Sequence, residues 1–179
     1  MSYEGFDLSP TIRAAASAEL QADLTSGSSF KSNRVRADAM PNYFNLLAAA
    51  LDSYDDLWLI DQFRANNCIV RPKYLTKTGK YLTTPKNAEE VLGLGEFKRY
   101  CVRGVCLDAL ARGVPDLEYY RARESMIHRA ESDMLVGTTV TAEVLLALSR
   151  EMTDGEPYSG PPCEFGSGLS VRISKVLEA

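Results

Sequence analysis

The chain has few of the residues that build most recognisable chemical sites. It contains one histidine, one tryptophan and four cysteines in 179 residues. Cys68, Cys101, Cys106 and Cys163 form no C-x-x-C pair. Cys101 and Cys106 stand five apart, about 140° of rotation on a helix, so their thiols diverge. A tetrahedral Cys/His zinc site is therefore not expected, and neither is a disulfide framework. The expectation is four reduced thiols, buried as small hydrophobes. No metal or other cofactor is expected.

Phosphate-binding loops are lacking too. There is no G-x-G-x-x-G, and Gly79-Lys80 is followed by Tyr81 rather than by the Ser or Thr of a P-loop. The only histidine, His128, lies near Ser125 and Ser132, but no G-x-S-x-G elbow accompanies them. Glu96-Phe97-Lys98 matches half of a nuclease E-x-K motif without a placed partner carboxylate. These absences favour a non-enzymatic protein. No apolar run approaches the roughly 18–20 residues that span a bilayer. The opening MSYEGFDLSP lacks the basic and apolar segments of a leader, so a cytoplasmic protein with no membrane partner is expected.

One further absence is local. Between Gln62 and Ala88 there is no Asp or Glu, while Arg64, Arg71, Lys73, Lys77, Lys80 and Lys86 all fall there. That window carries +6 against −4 for the whole chain, which leaves −10 for the remainder. Its centre, KYLTKTGKYLTTPK, repeats K-Y-L-T on either side of Thr78-Gly79. Two short β-prone runs around a glycine turn predict a hairpin over 69–84, and Pro72 and Pro85 confine it to an edge.

The rest of the chain reads as helix-rich α+β, a single domain with a small antiparallel sheet or hairpin and extended terminal arms. Ser9-Pro10 starts a helix in the order of an N-cap followed by N1 proline. Its apolar stripe (Ile12, Ala16, Leu20, Leu24) is thin, and residues 1–30 read as an N-terminal helix or arm. The globular core is expected over 31–152. A principal helix is predicted from Asp38 to Arg64, with Phe44, Leu47, Leu51, Tyr54 and Trp58 on one face. Gly93-Leu94-Gly95 divides a short helix from a longer one. In the longer one Phe97, Cys101, Val105, Cys106 and Leu110 face inward, and Lys98, Arg99 and Arg103 face outward. DLEYYRAR alternates as a strand. Thr141 is placed to cap a last helix with Val144, Leu145 and Leu148 as its core face. Residues 153–179 form a Gly/Pro-rich arm ending in an alternating strand, LSVRISKVL, which pairs with its own sheet or with a neighbouring subunit.

Two functional expectations follow. The first is a self-assembling structural or interaction protein. Arg71, Lys73, Lys77, Lys80, Lys86, Lys98, Arg99 and Arg103 would contact nucleic acid through phosphates, with Tyr74 and Tyr81 stacking on bases. Trp58, Tyr119, Tyr120, Phe165, Leu169, Val171 and Ile173 would form contacts of a homo-oligomer. Separate basic and acidic faces suit head-to-tail association, as in a nucleoprotein or shell-like assembly of a virus or mobile element. The alternative is a small DNA-binding regulator using a helix-turn-helix-like pair at 87–112. The basic hairpin also has a purely protective reading, since lysines on an edge strand oppose edge-to-edge aggregation.

Overall fold

The computed structural model describes residues 5–6, 8–123, 130–164 and 168–174. Six α-helices are present among them: α1 Pro10–Ser26, α2 Met40–Ser53, α3 Asp56–Ala65, α4 Ala88–Ala111, α5 Ala130–Leu135 and α6 Ala142–Arg150. The strands are β1 Lys73–Leu75, β2 Tyr81–Thr83, β3 Asp116–Arg121, β4 Thr139–Thr141, β5 Met152–Thr153, β6 Glu156–Pro157 and β7 Leu169–Ile173. They make two small hairpins, β1–β2 and β5–β6, and one antiparallel sheet of order β4-β3-β7. The α+β expectation for a single domain agrees with this architecture.

The first helix starts as its sequence dictates. Ser9 Oγ accepts from the Ile12 amide at 3.4 Å, Pro10 opens the helix, and Gly27 closes it in the left-handed conformation. Its role differs from that of an arm. Ile12, Ala16 and Leu20 are buried, because small residues on both helices let α1 lie close against α4. At the crossing, a Cβ on Gly104 would sit 2.6 Å from the Ile12 carbonyl oxygen.

The predicted helix over 38–64 is two helices. Tyr54 is extended, and the Asp55 carboxylate caps α3 by accepting from the Trp58 amide at 2.8 Å. This local side-chain bond competes with continued helix and ends it. Trp58 is half-buried and stacks on the exposed Tyr54 at 4.1 Å.

The larger departure is α4. It runs unbroken through Gly93 and Gly95, and 17 of its 24 residues are buried, so it has no cationic outer face. The helix-turn-helix-like pair expected at 87–112 is instead one helix. At Gly93 the reason is steric, since a Cβ there would meet Ile60 Cγ1 at 2.7 Å. The glycine serves close packing of α4 on α3, and that burial outweighs glycine's helix penalty of about 1 kcal/mol. The first half of α4 joins α1, α2 and α3 in one core around Tyr43, Leu47, Phe63 and Phe97. Its second half joins β3, β7 and α6 in another around Val105, Leu117, Leu145 and Val171.

The C-terminal strand returns to its own sheet, with Tyr119 opposite Val171 and Arg121 opposite Leu169. Leu169 and Val171 are fully buried inside the chain and Ile173 is half-buried, which corrects the expectation of subunit contacts through them. Tyr119 and Tyr120 are also both buried, because both faces of β3 are covered. The Tyr120 hydroxyl donates to the Gly5 carbonyl at 2.7 Å, and Arg172 lies over its ring. Phe165, like His128 and Ser125, lies outside the described residues. Residues 152–164 pack back over α4 instead of extending, and Cys163 is buried. In α6 the buried face is Ala142, Leu145, Leu146 and Ser149. Val144 is exposed, and Thr141 holds the cap position without a side-chain bond.

Candidate functional site: a basic hairpin over a cavity

The eight cations singled out in the sequence separate into three groups. Lys98, Arg99 and Arg103 are interior, with exposures of 5%, 2% and 1%. Arg103 bridges three helices. Its Nη1 meets Asp23 of α1 at 2.7 Å and Glu19 at 3.5 Å, and its Nε and Nη2 donate to the Ser149 carbonyl at the end of α6. A guanidinium there answers both the acids and the negative end of the helix dipole. Arg99 pairs with Glu96 at 2.5 Å, and its charge lies over the Tyr100 ring. Burial raises the Glu96 carboxyl pKa, and Arg99 opposes that rise. Lys98 donates to the Glu164 carbonyl at 2.6 Å, and burial pushes its pKa down to about 8. None of the three can reach a phosphate.

Arg71 and Lys77 form the second group, exposed but engaged. Arg71 donates to both carboxylate oxygens of Glu89, at 2.8 and 2.7 Å. Lys77 Nζ donates to Glu156 and to the carbonyls of Asp154 and Gly155, which ties the tip of the β1–β2 hairpin to the turn of β5–β6. Lys73, Lys80 and Lys86 form the third group. They are exposed and have no acid partner among the described residues.

The hairpin itself is as expected. Tyr74 pairs with Leu82 and Leu75 with Tyr81, and Gly79 supplies the left-handed residue of the turn. All of β2 is exposed, with Tyr81 at 70% and Leu82 at 48%. Tyr81 is free to stack. Tyr74 is half-buried under the guanidinium of Arg34, 5.3 Å from the ring centre.

Beneath the hairpin lies a cavity of about 600 Å³. Its floor is one stripe of α4, made by Val91, Leu92, Gly95, Glu96 and Arg99. Phe30 and Ser32 to Arg34 form one wall. Tyr74 and Thr76 to Thr78 form the roof, and Glu156 to Ser159 with Cys163 form the far wall. This site has a partial signal in the sequence. Gly95 inside a helix-forming run is a local cost, although from sequence it suggests a break between two helices rather than an open floor. Arg34 carried no signal at all.

Burial raises the thiol pKa of Cys68, of Cys106 to about 12 and of Cys163 to about 11, and all four cysteines are buried. Among the described residues no three His, Cys, Asp or Glu side chains converge as a metal site, and no helix is long and apolar enough to cross a membrane. No protein-family model, curated protein or solved structure matches the chain.

Proposed function

We propose that the chain is a non-enzymatic interaction protein that works by self-association and grips nucleic acid with the β1–β2 hairpin. The observation that carries this reading is the division among the cations. The fold engages five of the eight with acids or carbonyls, yet leaves Lys73, Lys80 and Lys86, in and just after the hairpin that exposes Tyr81, without an acid partner among the described residues. Lysines beside an exposed aromatic are what binding to single strands uses, combining charge neutralisation with stacking. Self-association draws its support from elsewhere than the termini. The β4 edge of the sheet is flanked by exposed Met134, Val136 and Val144, and unpaired strand edges with apolar neighbours favour pairing between copies.

The test is fluorescence anisotropy with labelled single-stranded DNA across a salt series, alongside light scattering after size exclusion. Three phosphate contacts predict a log–log salt slope of about −2. The triple variant Lys73→Gln, Lys80→Gln, Lys86→Gln should bring the slope close to zero. Unchanged binding in that variant refutes the hairpin reading. A species that stays at 19.7 kDa at every concentration refutes self-association.

A further inference from the structure

The three interior glycines of α4 do not share one explanation. Gly93 and Gly104 are forced, because a Cβ at either would collide with Ile60 or with the Ile12 carbonyl. A Cβ at Gly95 would meet nothing within 4 Å. Gly95 is helical, so the left-handed region does not require it either. Glycine in mid-helix is unfavourable, and no contact among the described residues accounts for it here. What the missing side chain leaves open is the floor of the cavity under the hairpin.

Two cationic groups at that cavity are incompletely satisfied. Arg99 lies one turn beyond Gly95 on the same face of α4, and its buried Nε has no hydrogen-bond partner. Arg34, half-buried at the mouth, meets no carboxylate among the described residues and rests only on the face of Tyr74. The remaining charges here, Lys77 with Glu156 and Arg99 with Glu96, are paired. The cavity therefore carries a surplus of one positive charge, supplied by Arg34. Phe30, Leu92 and Pro157 give it apolar walls, and its volume is that of a small-molecule site.

We propose that this cavity binds a small organic anion with a planar aromatic body. The ring would lie over Gly95, where a side chain would otherwise stand, and the anionic group would face Arg34. Lys77, which ties the hairpin tip to the β5–β6 turn, holds the roof over it. This site is separate from the outer lysines of the hairpin.

The experiment titrates the full chain with 1-anilinonaphthalene-8-sulfonate, an aromatic monoanion, and with its uncharged counterpart N-phenyl-1-naphthylamine, each followed by fluorescence. Saturable binding of the sulfonate at one site per chain is expected. Arg34→Gln should weaken the sulfonate at least fivefold and leave the neutral probe within twofold. Gly95→Phe should abolish both, with an unfolding midpoint no lower than that of the parent chain and unchanged binding to single-stranded DNA. Gly95→Leu is the second variant if the phenylalanine prevents folding. Absence of saturable sulfonate binding, or binding that survives filling of the cavity, overturns the proposal.

Discussion

Two sets of cations lie within about thirty residues of each other and meet opposite fates. Lys98, Arg99 and Arg103 are sealed inside the protein, while Lys73, Lys80 and Lys86 stand in solvent. Their residue types do not distinguish them. What differs is the element that carries them. A two-stranded hairpin has little to bury, so its lysines remain outside. A helix that crosses the middle of the molecule has neighbours on every side, and its charges are retained only where acids or carbonyls come to meet them. The lesson is that a basic cluster is a surface only if its element has a solvent face.

The comparison breaks most sharply at Arg103. Arg103→Met leaves Asp23 without its cation and the Ser149 carbonyl without its guanidinium donor, while Glu19 keeps Arg150. A loss of about 3–5 kcal/mol is expected in urea unfolding. The triple hairpin variant should change stability by less than about 0.5 kcal/mol per site. Equal losses in the two would erase the distinction.

Glycine substitutions sharpen the same contrast along α4. Gly104→Ala drives a methyl into the Ile12 carbonyl and should cost about 1–3 kcal/mol. Gly95→Ala enters open space and should add about 0.5–1 kcal/mol. Thermal unfolding of the two variants should move in opposite directions.

A further contrast concerns pH. The folded pKa of Lys98 is about 8 against an ordinary 10.5, lowered by burial. Between those values the unfolded chain holds a proton that the folded chain has lost, so this group makes stability rise with pH. The thiols of Cys106 and Cys163, raised from 9.0 to about 12 and about 11, act in the opposite sense. Their contribution is complete below pH 9 and is lost as pH climbs through their folded values. The rise due to Lys98 should therefore show between pH 8 and 9 and be overtaken above. Lys98→Met should flatten it and raise stability at pH 7 by about 1 kcal/mol. Parallel pH–stability curves for the two proteins would contradict a buried lysine.

Much of the local structure could be read from the chain. Ser9-Pro10 started a helix, the repeated K-Y-L-T around Gly79 made a hairpin, and DLEYYR and LSVRI made strands. Each is specified by residues within one turn or one strand pair. The candidate cavity was not legible, because its floor, walls and roof come from four separate stretches of sequence. Nor was the fate of α4. Its partners Asp23 and Ser149 lie 80 and 46 residues from Arg103, and no periodicity within the helix reveals them.

The sequence by itself determined the start of α1, the β1–β2 hairpin and the strands β3 and β7, that the thiols would be buried, and that residues 62–88 carry cations without acids. Capping, alternation and turn chemistry act over a few residues and leave their signature there. Only the tertiary structure decided which glycines are forced, which cations are neutralised and where a cavity remains. Those outcomes depend on the surroundings of a side chain, and the surroundings are assembled from distant parts of the chain when it folds.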